Sequence, residues 1–117
     1  MNDIAGELSE EFADLVAPLC YELSSHKKEY VLSKQLLKAG TGVGANIREA
    51  RYAQSRADFI SKMSIALKEA GESEYWLKRL HHAGFLSEQR FRELYSLCVS
   101  LIKILTKIVN TAKKNKQ

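Results

Sequence analysis

The sequence predicts an all-α protein, a single domain over residues 1–117 folded as an antiparallel, up-down-up-down four-helix bundle. Apolar residues recur at spacings of three and four along four segments, which is the periodicity of one helix face. Short polar turns separate these segments, and short turns favour antiparallel neighbours in a bundle. No alternation of apolar and polar residues indicates a strand. The predicted helices cover residues 3–25, 29–52, 56–83 and 88–113.

The composition is that of a globular domain, with 45% hydrophobic and 27% charged residues. A chain of this length buries roughly two-thirds of its unfolded surface, enough for a core without staples. Cys20 and Cys98 lie among apolar residues, so we expect reduced core thiols rather than a disulfide. No secretory signal and no apolar stretch of ~18 residues is visible, which predicts a cytoplasmic protein without membrane contact.

The first predicted helix carries an apolar stripe that Pro18 interrupts. Proline removes one amide donor and crowds the carbonyl group of Asp14. We therefore expect a kink or a broken first half in this helix. The stripe consists of Ile4, Leu8, Phe12, Leu15, Val16, Leu19 and Leu23.

The second predicted helix contains three glycines, each of which costs up to ~1 kcal/mol relative to alanine. Gly40 and Gly44 share a face, so close approach of another helix backbone would compensate for them. Gly40-x-Gly42-x-Gly44 also looks like a phosphate-binding loop, but such a loop follows a strand and this segment is helical, which favours packing. Asn46 lies beside the core stripe, where we expect it to find polar partners and to fix helix register or subunit orientation.

The third predicted helix begins after Ser55 with a capping-box pattern, and Tyr75 and Trp76 on it are interpreted as packing or interface groups rather than base-stacking platforms. The fourth begins after Ser87, a good N-cap residue, and is apolar on nearly every side. A bundle helix needs only one buried side, so this excess predicts packing against a neighbouring subunit and therefore a homo-oligomer. Ile65 and Trp76 lie off the core stripe and give a weaker indication of the same kind.

Charge is segregated along the chain. Residues 1–26 contain six acidic residues and no Lys or Arg, whereas residues 27–117 contain all 18 basic residues and the other eight acidic ones. Two interpretations fit this pattern. Either the helices complement one another and carry solvated charged faces, or a basic surface binds a polyanion.

The predicted topology brings the turn between helices 1 and 2 to the same end as the turn between helices 3 and 4. His26, His81 and most of the candidate basic residues lie there. The acidic start of helix 1 lies at the opposite end and neutralises part of the basic group at that end, which comprises Arg48, Arg51, Arg56, Lys113, Lys114 and Lys116. The first end is therefore the candidate nucleic-acid-binding surface, with Lys27, Lys28, Lys78, Arg79, His82 and Arg90 as candidate residues.

Three glutamates could ligate a di-metal centre in the bundle, namely Glu49, Glu69 and Glu72. That site type needs a Glu-x-x-His motif on each of two helices, and Glu69-x-x-Glu72 lacks the histidine. Nor does a nucleophile accompany the carboxylates, so we expect inter-helix salt bridges or bonds to Asn46 rather than catalysis. The three histidines could bind a metal at one end, but histidines in turns are usually solvated. We expect no enzyme activity, no metal and no cofactor.

Two segments resemble the signatures of the bacterial four-helix bundle proteins first named for genes inside 23S ribosomal RNA intervening sequences. The first is Gly40-Thr41-Gly42-Val43-Gly44-Ala45-Asn46-Ile47-Arg48-Glu49-Ala50. The second comprises Asp58-Phe59, Lys62-Met63-Ser64-Ile65-Ala66-Leu67-Lys68-Glu69-Ala70 and Glu72-Ser73-Glu74-Tyr75-Trp76-Leu77. The signature positions that match are Gly44, Asn46, Glu49, Glu69, Glu72, Tyr75 and Trp76.

The resemblance implies a left-handed antiparallel bundle, a homopentameric ring and a tie to RNA. A similar relative is the accessory protein of diversity-generating retroelements, which partners a reverse transcriptase and nucleic acid. The family offers no established catalytic residues. Gly71 departs from its pattern, which usually has a polar or basic helix former there, and helix 1 has Pro18 and lacks the usual aromatic start.

Two functions from different classes follow. One is an oligomer that binds RNA or DNA, with structured RNA preferred, through a basic end repeated around a ring, where avidity multiplies weak contacts. The other is a scaffold or adaptor for a reverse transcriptase or another protein, in which the basic residues serve solubility and subunit pairing. The two differ in whether the basic residues converge on one exposed face or pair with the acids of helix 1.

Overall fold

The computed structural model describes residues 3–115; Lys116, assigned above to the opposite end, lies outside them. Four helices form the fold: α1 (Ile4–His26), α2 (Val31–Arg51), α3 (Arg56–His82) and α4 (Glu88–Lys114). Residues 3–115 contain no strand. The prediction of an all-helical, four-helix protein is confirmed, and the molecule is about 50 Å long and 22 Å across.

Three helices begin with a side-chain cap. Asp3, Ser55 and Ser87 each accept a hydrogen bond from the backbone N–H three residues further on, at 3.0, 3.0 and 3.2 Å respectively. The α2 helix begins at Val31, two residues later than expected. Glu29 lies before the helix and caps its first turn with its carboxylate. Glu29 accepts bonds from three first-turn N–H groups of α2, at 2.7 to 3.1 Å, which are otherwise unsatisfied.

The α1 helix is continuous through Pro18, so the expected broken first half was wrong. Pro18 lies on the exposed side, while Val16, Leu19 and Cys20 beside it are buried in the core. Their burial holds the helix in place on both sides of the missing N–H. Cys20 and Cys98 are buried and unpaired, which confirms two core thiols. Burial raises the pKa of each thiol to about 12.

The glycines of α2 face α1 at short range. A Cβ atom on Gly40 would lie 2.9 Å from Cγ1 of Val16, and one on Gly44 would lie 3.2 Å from Oγ of Ser9. Close approach of another helix is therefore confirmed, although side chains of α1, rather than its backbone, occupy most of the space. A side chain at Gly40 would force α1 or Val16 to shift, whereas one at Gly44 would require Ser9 to move by only a few tenths of an ångström.

The α4 helix completes the core with buried Leu94, Cys98, Leu101, Leu105 and Val109. Its other large apolar side chains are partly buried against that core, and in the described residues none is mostly exposed. Only 28% of the most apolar stretch of α4 is buried within the chain, so part of its apolar excess remains at the surface. By length and composition alone α4 could also cross a membrane, with a mean hydropathy of 1.3 over 18 residues. This window corrects the expectation that the sequence contains no apolar stretch of ~18 residues.

Contacts between helix ends show which turns are neighbours. Arg90, in the first turn of α4, bonds Glu22 near the end of α1 with N–O distances of 3.1 and 3.3 Å. The turn over residues 27–30 and the turn over residues 83–87 therefore lie at one end, called here the basic end. At the far end, Arg51 in the last turn of α2 forms an ion pair with Asp3 before α1.

Candidate nucleic-acid interface

Two of the six candidate basic residues are engaged within the chain. Arg90 makes two bonds to Glu22, as described above. The ammonium group of Lys78 lies 3.9 Å from a carboxylate oxygen of Glu74 and 5.5 Å from the centre of the Tyr95 ring. Both cations are half-buried. They contribute to the packing of the basic end more than to its free charge.

The other four candidates keep their polar groups available. Lys27 and Lys28 are exposed in the turn, where Lys28 adopts a left-handed backbone with φ 56°. The Arg79 guanidinium lies 5.0 Å from the centre of the Tyr75 ring, with Nη2 3.5 Å from Nδ1 of the exposed His82. Within residues 3–115, Lys27, Lys28 and Arg79 form no salt bridge.

Lys34 is a further basic residue of this end that the sequence analysis missed. It lies in the first turn of α2, is exposed, and forms no salt bridge in the described part of the chain. A signal was present, because no acidic residue occurs between Tyr30 and Arg48. That stretch carries Lys34 and Lys38 with nothing on α2 to neutralise them.

The carboxylates nearest the two turns are already occupied by short bonds. Burial raises the pKa of Glu29, but hydrogen bonds from the backbone of Leu32, Ser33 and Val31 outweigh it and leave the pKa below its usual value. Hydrogen bonds from His81 and then Arg92 lower the pKa of Glu88. These carboxylates bond their own partners, and in the described residues none of them forms a salt bridge with Lys27 or Lys28.

An aromatic stack supports the basic end between α3 and α4. The His81 ring lies 4.0 Å from the Phe91 ring at an interplanar angle of 7°, and Phe91 lies 5.1 Å from Tyr95. Nε2 of His81 also lies 3.0 Å from a carboxylate oxygen of Glu88. His81 is thus a packing residue, and no group of three potential metal ligands comes together in the described residues.

Charges of both signs meet at the far end. The Arg51–Asp3 ion pair confirms that the start of helix 1 neutralises part of the basic group there. A groove of about 270 Å³ between α1 and α2 is lined by Glu10, Arg48, Arg51 and small residues. Exposed Glu7 and Glu11 extend the acidic face of α1 beside it. The far end therefore offers a polyanion a mixed surface.

The signature residues take mainly structural positions. Lys62 lies 3.7 Å from Glu49 across α2 and α3, as expected for an inter-helix salt bridge. Asn46 finds a polar partner, as expected, but on its own helix, because its Nδ2 donates to the carbonyl group of Gly42 at 2.8 Å. The side chain of Glu69 occupies the space beside Gly42. A Cβ atom on Gly42 would lie 3.1 Å from the carboxyl carbon of Glu69.

Glu69 and Glu72 do not form the expected salt bridges in residues 3–115. Burial, and then a hydrogen bond and the charge of Glu72, raise the pKa of Glu69, while nearby Lys38 and Lys68 oppose the rise. Glu72 is exposed and Glu69 is only partly buried, so water can solvate both carboxyl groups without a cation. Gly42 provides the space in which Glu69 sits.

The aromatic signature pair is more exposed than expected. Tyr75 is 51% exposed, whereas Trp76 is half-buried and meets the Tyr75 ring edge-on at 5.0 Å and 80°. Trp76 fits the packing role that the sequence indicated. Tyr75 contacts solvent and the Arg79 guanidinium, so packing within this chain does not account for it.

The structure defines a class of small, basic, all-helical proteins. Its features are a four-helix core, carboxylates that bond partners within the chain, and a basic end. The chain belongs to the 23S rRNA-intervening sequence protein family, whose sequence profile matches residues 4–107. It is similar to the crystal structure of a protein of unknown function of the S23 ribosomal protein family from Bacteroides thetaiotaomicron VPI-5482. That similarity has a TM-score of 0.88 and 43% identity, and covers 91% of this chain and 98% of the other. None of the curated proteins compared matches the chain.

Proposed function

We propose that this protein is a non-enzymatic, cytoplasmic homo-oligomer that binds structured RNA, or another nucleic acid, through its basic end. One observation carries the proposal. Lys27, Lys28 and Arg79 are free of carboxylate partners in the described residues, at an end where the carboxylates nearest the turns already have partners. Cations without internal partners are the groups that can exchange their counterions for phosphates.

The proposed topology is up-down-up-down and antiparallel. The contact of Arg90 with Glu22 supports it for α1 and α4, because it joins the start of one helix to the end of the other. The contact of Lys62 with Glu49 supports it for α2 and α3. In this topology the basic end contains the turn over residues 27–30 and the turn over residues 83–87. Lys27 and Lys28 therefore lie at the same end as Arg79.

The proposed assembly is a homopentameric ring, the state that the family resemblance implies. Exposed apolar side chains on α2 and α3, among them Leu37 and Ile65, are available for subunit contacts. They add to the partly exposed apolar side chains of α4, which support an oligomer in the same way. A ring would repeat the basic end five times, and linked sites bind far more tightly than one site alone.

A scaffold that binds a reverse transcriptase or another protein is the second candidate. It is favoured by two salt bridges within the chain, Arg90 with Glu22 and Lys78 with Glu74, which reduce the free charge of the basic end. The exposed apolar groups that support an oligomer could equally meet a partner protein. Binding of nucleic acid by the isolated protein separates the two candidates, because the scaffold function requires none.

The test is fluorescence anisotropy with a labelled structured RNA over a salt series. We compare the wild type with a variant in which Lys27, Lys28 and Arg79 are changed to Glu, and leave Lys78 unchanged because Glu74 already engages it. We expect micromolar affinity for the wild type. The variant should lose binding, and the slope of log affinity against log salt should fall by about two to three for three lost phosphate contacts.

The matched control reverses three cations of the far end, Arg56, Lys113 and Lys114, which are exposed and unpaired in the described residues. It changes the net charge equally, so only the location of the charge differs, and we expect it to bind nearly as the wild type does. Equal losses in both variants, or unchanged affinity in the first, would refute the proposed surface. Light scattering checks the oligomer, and a monomeric mass at micromolar concentration would refute the assembly.

A further inference from the structure

Two exposed tyrosines lie at the basic end on neighbouring helices. Tyr30, the N-cap residue of α2, is 58% exposed, and Tyr75 on α3 is 51% exposed. Large aromatic side chains usually bury most of their area, since burial of their surface is what stabilises the fold. Tyr52 is 76% exposed, but it lies at the far end, where charges of both signs meet. The two exposed tyrosines of the basic end fit a ligand with planar apolar faces and negative charge.

The register of α2 against α3 places these tyrosines close together along the bundle axis. Glu49 contacts Lys62, and the position of Gly42 faces Glu69. From Glu49 to Gly42 is seven residues back along α2, and from Lys62 to Glu69 is seven residues forward along α3. The two helices therefore run antiparallel in step. The next step of seven sets residue 35 opposite Trp76, and four more set residue 31 opposite residue 80. Tyr30 therefore lies level with the last turn of α3, and Tyr75 lies about 8 Å further from the end of the bundle.

Each tyrosine also has a cation on its own helix face. Lys34 follows Tyr30 by four residues and Arg79 follows Tyr75 by four, a spacing that places side chains next to each other on a helix. For the second pair the contact is direct, with the guanidinium 5.0 Å from the ring centre. Tyr21, although 75% exposed, has Ala17 and Ser25 at the same spacings.

We propose that the basic end binds unpaired nucleotides, with bases stacked on Tyr30 and Tyr75 and phosphates held by Lys27, Lys28, Lys34 and Arg79. This inference rests on the proposed function and specifies its ligand as single-stranded segments, such as the loops of a structured RNA. Phosphate contacts alone serve a duplex equally well, but the base faces that an exposed tyrosine can stack on are accessible only in unpaired strands. The bundle end is 22 Å across, the length of about six stacked nucleotides at ~3.4 Å each.

The test measures anisotropy with three labelled probes: a 12-nucleotide uridine RNA, the thymidine DNA of the same length, and a 12-base-pair RNA duplex. Tyr30→Leu and Tyr75→Leu are combined in one variant, because leucine keeps apolar bulk without an aromatic face. We expect single-strand affinity to fall by about tenfold or more, with duplex affinity and salt dependence unchanged. RNA and DNA strands should respond alike, since neither stacking nor phosphate contact reads the sugar.

Two controls make the result specific. Tyr21→Leu removes a more exposed tyrosine that has no cation four residues before or after it, and it should bind every probe as the wild type does. The conservative variant Tyr30→Phe/Tyr75→Phe keeps both rings and should retain wild-type affinity. Trp76, the single tryptophan, contacts Tyr75 at 5.0 Å, so its fluorescence should be quenched by the uridine strand in the wild type and much less in the leucine variant.

The possible failures are distinguishable. If the leucine variant binds single strands as tightly as the wild type while the Lys27, Lys28 and Arg79 reversal still abolishes binding, the stacking inference is overturned and the proposed function stands. If the wild type binds none of the probes at low salt, both are overturned. If the leucine variant changes the oligomer mass, the tyrosines are subunit contacts and the inference is likewise overturned.

Discussion

The α1–α2 pair and the α3–α4 pair reach the same architecture by different contacts. Between α1 and α2 the contact is close packing, with Val16 and Ser9 filling the space left by Gly40 and Gly44. Between α3 and α4 it is polar and aromatic. The thiol of Cys98 donates to the carbonyl group of Ala70 at 3.2 Å, and the two helices share the His81–Phe91–Tyr95 stack.

The turns within the two pairs differ in the same way. The α1–α2 turn is closed by an ionised side chain, since Glu29 accepts three backbone N–H groups. The α3–α4 turn uses neutral groups, Gly84 at φ 85° and the hydroxyl group of Ser87. The first pair should therefore be sensitive to added volume and to pH, and the second to removal of side-chain atoms. Four substitutions test this difference.

The largest effect is expected for Gly40→Ala, at about 2 kcal/mol of lost unfolding free energy, since overpacking exceeds the gain in helix propensity. The new Cβ would lie 2.9 Å from Cγ1 of Val16, a buried and β-branched side chain that cannot rotate away. Urea unfolding followed by circular dichroism measures the change. The steric explanation predicts that Gly40→Ala costs much less in a Val16→Ala background than in the wild type, and an equal cost in both backgrounds would contradict it.

The next effect belongs to the α3–α4 pair. Cys98→Ala should cost about 1.5 kcal/mol, because it leaves a small void at a fully buried position and removes the bond to Ala70. Cys20→Ala is the control, since that thiol is 4% exposed and lies in α1. We expect a smaller loss for Cys20→Ala in the same urea experiment. Equal losses would mean that the sulfur contact with α3 adds nothing.

A third prediction compares the two turns as pH falls. Glu29→Ala should lower stability at pH 7 by about 1 kcal/mol, a typical value for a lost cap. The pKa of Glu29 is below its usual value of 4.5 in the folded protein, so its contribution is full above that value and is lost as pH falls through the folded pKa.

Ser87→Ala serves as its matched control because it removes a cap of similar strength that does not titrate. The difference in stability between wild type and Glu29→Ala should shrink at acid pH, whereas the difference between wild type and Ser87→Ala should persist. Thermal unfolding at pH 7 and pH 3 measures both. A Glu29→Ala deficit that stays constant with pH would show that the carboxylate charge has no role in this turn.

Much of this fold could be predicted from sequence because its determinants are local. The apolar stripes, the caps at Ser55 and Ser87 and the shared face of Gly40 and Gly44 each depend on residues a few positions apart. The start of α2 was placed too early because a glutamate before the helix, rather than an N-cap residue, satisfies its first turn.

The candidate site was harder to predict because it depends on which charges find partners. Arg90 was assigned to the basic surface, but its partner Glu22 lies 68 residues away in the sequence. No local pattern shows such a pair. Tyr75 was interpreted as a packing or interface residue, and no local pattern shows that its ring lies in solvent beside Arg79. The predicted topology placed the candidate basic residues at one end, and only tertiary contacts show which of them have carboxylate partners.

The smallest expected effect has the opposite sign. It comes from the same kind of change as the largest, glycine to alanine, at a different position. Gly71 on α3 is exposed, and a Cβ there would meet nothing within 4 Å. Gly71→Ala should therefore stabilise the protein by about 0.5 to 1 kcal/mol, since alanine loses less backbone entropy in a helix. Urea unfolding beside Gly40→Ala measures both. Two outcomes would contradict this prediction: Gly71→Ala destabilises the monomeric fold, or it disrupts an oligomer that the wild type forms. Either would mean that another surface packs against Gly71 and requires a glycine there.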